Sequence, residues 1–508
     1  MRFKKPSQRN QLRELKHRKP GDIILRRPPG PARRLRRVLT VPALYSAGYG
    51  NVGSSIYYAL GVVALVALGA TPIALFAAGI LFVFTALTYS EGATMYPEAG
   101  GSASFARHGF NEHVGFAAGW ALLLSYIVTI SISAFTISPY LGHFWEPLKT
   151  DPWIGTLFSI GIVIFLMGLN VLGVRETAFV NIGAAVLDVA VQAMLVIIGL
   201  ILLLNPGVVV FSVDKLADHM FGSGNWPSTS NLVFGIALAA LAYTGVETVS
   251  QMSEETRLPQ VRVPRAMFLM MFTVLVMFSG ISVVALSAIP PTGEGSLATE
   301  WARDPVAGIA SQFPYRWLKD VFQPLVAVLA ATILLIATNA GLMGISRLAF
   351  SMGSYQQLPS VFKRVHSRFR TPYISIIVFS VVAILILIPG LFRSDITEIF
   401  SNMGGLYIFG SLLAFAFAHA SILALRVRKP ELARPFKLRG NIRIKGRELP
   451  ITAIIGLVAT VAIWVVIIVI QDYSRWVGFG WMAVGLGGYL IFRWRRKTAQ
   501  RQTEHEAN

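Results

Sequence analysis

Eleven or twelve stretches of roughly 20 apolar residues divide this chain of 508 residues, each long enough to cross a hydrocarbon core about 30 Å thick. The chain is 54% hydrophobic and 14% charged, where a soluble domain is about 25% charged. Lipid offers no hydrogen bonds to a backbone, so such segments cross as helices that bond internally. The sequence predicts an all-α polytopic membrane protein with about 12 transmembrane helices. They fall near 40–68, 72–96, 113–139, 153–173, 178–203, 230–252, 264–288, 319–346, 372–389, 397–425, 450–470 and 475–493.

Two of these segments contain short glycine-bearing interruptions in matching places. The first holds Gly48-Tyr49-Gly50-Asn51-Val52-Gly53-Ser54-Ser55, and the sixth holds Ala242-Tyr243-Thr244-Gly245. A helix break at membrane depth survives only where protein or a solvated cavity satisfies the freed backbone. Paired breaks in two halves of a chain mark the solute site of a secondary transporter.

A net charge of +20 would suggest a nucleic-acid partner in a soluble protein, but its placement says otherwise. In a twelve-helix layout 38 of the 45 Lys and Arg residues fall on one side, which is the positive-inside pattern and puts both termini in the cytoplasm of a plasma-membrane protein. Fourteen of them lie before the first helix, ending Arg33-Arg34-Leu35-Arg36-Arg37. This tail has no reading module for nucleic acid; attraction to anionic membrane lipid or a plain topology role suits it better. The expected organisation is a basic tail at 1–38, a ten-helix core at 39–425 with halves at 39–203 and 230–425, a basic loop at 426–449, two further helices at 450–494 and a short tail at 495–508.

The loops carry three ordered motifs. The second helix ends Tyr89-Ser90-Glu91-Gly92 before Tyr96-Pro97-Glu98-Ala99-Gly100-Gly101. The sixth runs through Gly245-Val246-Glu247 into Ser253-Glu254-Glu255-Thr256-Arg257-Leu258-Pro259 and Pro264-Arg265-Ala266, and the eighth ends Ser346-Arg347 with Met352 beyond. Pro97 with the glycine pair stops the second helix, and Pro259 and Pro264 are expected to separate the sixth from the seventh. Together these motifs resemble the amino acid-polyamine-organocation superfamily of permeases. The resemblance implies two inverted five-helix repeats with broken helices 1 and 6, plus two peripheral helices. It also implies a substrate carboxylate held at Gly50, Asn51, Gly53, Ser54 and Ser55, where Ser55 replaces the family's second glycine. An ammonium would be held near Ala242, Tyr243, Thr244 and Gly245, with Tyr243 as a lid. Leu241 stands where some cation exchangers of the family carry an aromatic gate, which favours a neutral substrate. Glu247, Glu91 and Arg347 are gate or structural residues, and Glu254 or Glu255 is a candidate partner for an Arg of another loop.

Asp188 lies about ten residues into the fifth helix, roughly 15 Å from its end. A carboxyl at that depth is functional by default. Several proton-coupled relatives place a Lys there, seven residues after an Asn, and here Asp188 follows Asn181 by seven. Asp188 is thus a candidate for coupling to H⁺ or Na⁺, or a purely structural hydrogen-bond centre, with Gln192 one turn on as a partner. Cys is absent and the histidines show no metal-ligand spacing, so no metal and no cofactor are expected. No nucleophile and base pair or phosphate loop supports an enzyme. The expected function is amino acid permeation, with proton-coupled symport as its expected form; polyamine, organocation or inorganic cation transport, or a transporter-like sensor or channel, are the alternatives. Because the chain lacks cysteine, one introduced near Lys437 is expected to react with impermeant reagent only from the cytoplasmic side. Its labelling from outside intact cells would refute the orientation.

Overall fold

A computed structural model describes residues 37–173, 178–205, 207–392, 396–444 and 446–506. The basic tail up to Arg36 lies outside them, as do the last two residues. The described chain is helical apart from one short hairpin, and ten of its helical stretches are long and apolar enough to span a membrane. The first stretch runs from Val41 to Met95 over 55 residues. It contains α1 (Val41–Val52), α2 (Ile56–Ala67) and α3 (Thr71–Met95). Leu68, at φ 48° and ψ −127°, breaks α2 from α3, and Pro72 sits in the first turn of α3 where no amide partner is lost.

Next come α4 (Ser102–Gly109) and α5 (Glu112–Leu141), the latter capped by the Asn111 side chain on the amides of His113 and Val114. A single turn, α6 (Pro147–Thr150), precedes α7 (Pro152–Leu172), which Asp151 caps and Gly173 ends in the left-handed region. Then follow α8 (Ala178–Leu203), α9 (Val213–Phe221), α10 (Thr229–Ala239) and α11 (Val246–Gln251). The second half continues with α12 (Pro259–Ala288), α13 (Pro305–Ser311), α14 (Arg316–Ser354), α15 (Tyr373–Leu387) and α16 (Ile396–Arg428). A hairpin of β1 (Asn441–Ile444) and β2 (Arg447–Pro450) leads into α17 (Ile451–Ile470) and α18 (Asp472–Glu506).

Burial separates centre from rim. The apolar window of α5 is wholly buried and packs on α14 and α16, whereas α7 and α17 turn most of theirs outward. One expectation changes. Pro264 lies inside α12, which starts at Pro259, so Pro259 alone stands at the boundary and Pro264 leaves the helix short of one backbone hydrogen bond. The basic loop after α16 carries the hairpin in its distal half.

The end of α3 is tied to that loop by a buried ion cluster. Arg426 forks onto Glu91 through Nε at 2.8 Å and Nη2 at 2.7 Å, and the Leu438 amide donates to Glu91 Oε2 at 2.9 Å. Arg434 stands 3.6 Å from the other oxygen. All three charges are nearly inaccessible, so removing one strands the others without solvent. Glu91→Ala is expected to destabilise the protein by about 3–5 kcal/mol, read as a lowered apparent Tm in detergent. An unchanged Tm would show that the cluster is not holding the loop.

Candidate functional site

The first interruption is a single tight turn, Gly53–Ser55, between α1 and α2. Its backbone stays in the right-handed helical region, with the Ile56 amide shared between the carbonyls of Gly53 and Ser54. Tight packing explains the glycines: a Cβ on Gly53 would meet the Tyr49 ring at 2.5 Å, and one on Gly48 would strike the Val249 side chain. The second interruption opens further. A tight turn at Ala240–Tyr243 gives way to extended Thr244 and then Gly245 at φ 113°, before α11 begins. Only glycine adopts that backbone without strain, and a Cβ there would also stand 2.7 Å from Asn51 Nδ2.

One side-chain bond joins the two interruptions. Asn51 Nδ2 donates to Thr248 Oγ1 at 2.9 Å, linking α1 to α11. Asn51 Oδ1 has no hydrogen-bond partner among the described residues. Glu247 Oε2 accepts the Gly245 amide at 3.2 Å, while its Oε1 is buried and unpartnered among them. The Tyr126 and Tyr407 hydroxyls lie within electrostatic reach of this carboxyl. Other residues of the two interruptions are spent locally: Ser54 Oγ donates to Asn51 O, Ser55 bonds Tyr58, and Thr244 Oγ1 donates to Leu241 O. Tyr243 donates to Leu75 O at 2.8 Å and packs between Phe82 and Phe278, so its hydroxyl is committed to α3. Ala242 is buried beside it, and Gly50 packs near Ile336 of α14.

Asp188 is fully buried on α8 and is gripped by three donors. Tyr57 Oη donates to Oδ1 at 2.6 Å, Tyr49 Oη to Oδ2 at 2.8 Å, and Gln192 Nε2 to Oδ2 at 2.7 Å. The two tyrosines flank the first interruption, so one carboxyl holds both of its sides. The Tyr57 carbonyl in turn accepts from Tyr140 at 2.8 Å, joining α5 to the assembly. Gln192 is readable as a partner from its spacing in the sequence. Tyr49 and Tyr57 escape that reading as ligands of Asp188, although residues eight apart on a helix share a face and their common direction is a usable signal.

A cavity of about 40 Å³ adjoins these groups, lined by Ala47, Asn181, Thr248, Gln251, Ile336 and Arg347 among others. It has room for a few water molecules, not for an amino acid. Asn181 Oδ1 and Gln251 Nε2 lie buried without partners among the described residues, consistent with a wetted space. At its rim Arg347 Nη2 pairs with Glu255 Oε1 at 3.1 Å, an ion pair between α14 and the end of the sixth segment. On this side Glu98 gathers Arg107, His108 and Ser104. Burial alone would raise its carboxyl, but the His108 hydrogen bond, the Arg107 charge and Ser104 outweigh that and hold it at about 2, below the ordinary 4.5.

The opposite end is covered by the segment before α13. The Ala302 carbonyl presses on α2 where Gly61 leaves room, since a Cβ there would overlap it. Lys149 Nζ bonds Asp304 Oδ2 at 2.7 Å and lies over the Trp301 ring. Burial pushes the Asp304 carboxyl up, and the Lys149 charge opposes it.

A sequence model of the amino acid permease family matches residues 39–492. The chain belongs to that family. It is 24% identical to a branched-chain amino acid permease of Bacillus subtilis, over 90% of this chain and 93% of the relative. It is 26% identical to a low-affinity putrescine importer of Escherichia coli, over 89% and 92%. A mitochondrial cationic amino acid transporter of Arabidopsis thaliana is 26% identical over 80% of this chain, which spans about two thirds, 66%, of that longer protein. This permease is therefore a multi-pass membrane transporter of the superfamily that its loop motifs resemble, and not an enzyme. Gly245→Ala is expected to force Asn51 off Thr248 and to cut substrate uptake by about tenfold or more, with the protein still present in the membrane. Full uptake by this variant would remove the second interruption from the mechanism.

Proposed function

We propose that this permease carries an α-amino acid, neutral rather than cationic, by alternating access across the plasma membrane, driven by a proton carried on Asp188. The observation that carries this reading is the grip of Asp188 on Tyr49 and Tyr57, one on each side of the first interruption. A carboxylate accepts all three of its hydrogen bonds, whereas a carboxylic acid also carries a donor, so gaining a proton reverses or weakens one of the bonds to the tyrosines. The state of that proton then sets how the two parts of the first membrane segment sit, and the Asn51 to Thr248 bond passes the change to the second interruption.

In this reading the amides and hydroxyls around Gly50, Asn51, Gly53, Ser54 and Ser55 receive the substrate carboxylate, and carbonyls around Ala242 to Gly245 receive its ammonium. Aliphatic Leu241 offers no cation-π face, and the branched-chain permease of Bacillus subtilis has a neutral substrate in its name. Arg347 with Glu255 serves as an inner closure, Lys149 with Asp304 as an outer one, and Glu247 as a polar hinge of the sixth helix. Glu91 belongs to the structural tie with the basic loop.

The same reading takes the 55-residue first stretch as two crossings and α18 as the last, giving twelve helices arranged as two inverted repeats of five plus a peripheral pair. Both termini are then cytoplasmic. Exposed Trp145, Trp153, Phe221, Trp226, Trp317 and Trp476 all fall at helix ends that this traverse puts on the outer side, as an interfacial aromatic belt requires.

Uptake into proteoliposomes, with a panel of amino acids and imposed H⁺ or Na⁺ gradients, tests the proposal. A neutral amino acid should accumulate with a proton gradient and lose binding when its carboxylate or amino group is blocked. Asp188→Asn should abolish gradient-driven accumulation while sparing counterflow exchange. If it accumulates substrate as wild type does, the coupling site is elsewhere. If a diamine is carried as well as the best amino acid, as the name of the Escherichia coli relative would suggest, the carboxylate site is wrong.

A further inference from the structure

The hairpin of β1 and β2 leads without a linker into membrane-spanning α17, because β2 ends at Pro450 and the helix starts at Ile451. Its height is therefore that of the lipid headgroups. Its base is fixed: the Ile451 amide bonds Gly440 O at 3.0 Å, the Asn441 side chain bonds Leu438 O, and the Leu438 amide is held by buried Glu91. Directly paired residues of two antiparallel strands share a face, which puts Ile442 with Leu449 and Ile444 with Arg447 on one side, and Arg443 with Glu448 on the other. Ile442 and Ile444 are exposed at 36% and 47%, an odd state for two isoleucines in aqueous surroundings. Arg439 and Arg447 are exposed and have no acceptor among the described residues. Glu448 answers Lys437 and weakly Arg443, so the hairpin keeps an excess of positive charge.

We infer that this hairpin is a binding surface for anionic phospholipid of the inner leaflet. Ile442 and Ile444 enter the boundary between headgroups and acyl chains, and Arg439 and Arg447, which have no acceptor among the described residues, take the phosphates. Exposed apolar and cationic side chains at headgroup depth are what an interfacial lipid contact needs. Through Glu91 the bound lipid is connected rigidly to α3 in the transport core. The inference rests on α17 crossing the bilayer and on the sidedness proposed above, and not on the identity of the substrate.

The test uses the whole protein carrying Ile444→Cys, the sole thiol in the chain, labelled with a polarity-sensitive fluorophore and reconstituted in phosphatidylcholine vesicles with increasing phosphatidylglycerol. Emission should shift to the blue, and iodide quenching should fall, as phosphatidylglycerol is added. Each basic residue near the surface is worth about 1 kcal/mol, or about fivefold. Arg439→Gln and Arg447→Gln together should therefore weaken the contact by roughly 25-fold, read as lost protection at phosphatidylglycerol contents that protect the parent. Equal quenching with and without phosphatidylglycerol would overturn the inference, as would an unchanged titration in the double variant. Both side chains are exposed, and a monodisperse elution profile in detergent confirms that the variant is folded.

Discussion

A carboxyl group with no access to water, held by one donor from each of three helices, is the constraint around which the core is arranged. Hydrogen bonds to a charged acceptor contribute about 1.5–3 kcal/mol each, and leaving one unmade in this setting costs more. Asp188 thereby fixes α8 against both α1 and α2. Its grip explains why a bend of only one tight turn stays in place between them. The same logic repeats at Glu91, where two arginines and an amide replace the water that a charge at the end of α3 would otherwise need.

Close approach is the second ingredient. Gly48, Gly53, Gly61 and Gly245 each stand where a methyl group would strike a neighbouring group, and helices in lipid associate by such packing because apolar contact alone gives no preference over lipid tails. Helices α1, α8, α11 and α14 line a space of only a few water molecules. Arg347 is paired at one end and Ala302 is seated on α2 at the other, and the proposed cycle takes these two contacts as its closures. In the proposed cycle a substrate enters only after one of these closures parts. Both are small: one partly exposed ion pair, and one lysine–aspartate contact with a backbone press.

Much of the architecture is legible because lipid imposes a simple rule on sequence. Apolar length marks the spans, and the loop motifs point to the family that the comparison shows. The carboxyl of Asp188 and its partner Gln192 are visible as polar residues in an apolar run at a spacing of four. What cannot be read is the third dimension of ordinary residues. Tyr49 and Tyr57 look like any aromatic residues of a membrane helix until α8 is placed beside them. The Tyr243 hydroxyl, a candidate lid over substrate, is taken by the Leu75 carbonyl, a contact that depends on how α3 crosses. The hairpin is hidden because alternation over four residues amid many charges gives almost no strand signal.

The three relatives differ in the substrates that their names carry: a branched-chain amino acid, a diamine and cationic amino acids. Such variety on one scaffold requires that the parts which move be separable from the parts which select. Here the tyrosine–carboxyl centre lies on α1, α2 and α8, and the small cavity is lined mainly from α11 and α14. Asn51 and its bond to Thr248 bridge the two groups. In the proposed cycle, wall residues such as Ile336 or Met343 can differ between permeases while the hydrogen bonds of Asp188 keep their geometry. The Asn51 acceptor, which no described protein group satisfies, lies on that bridge.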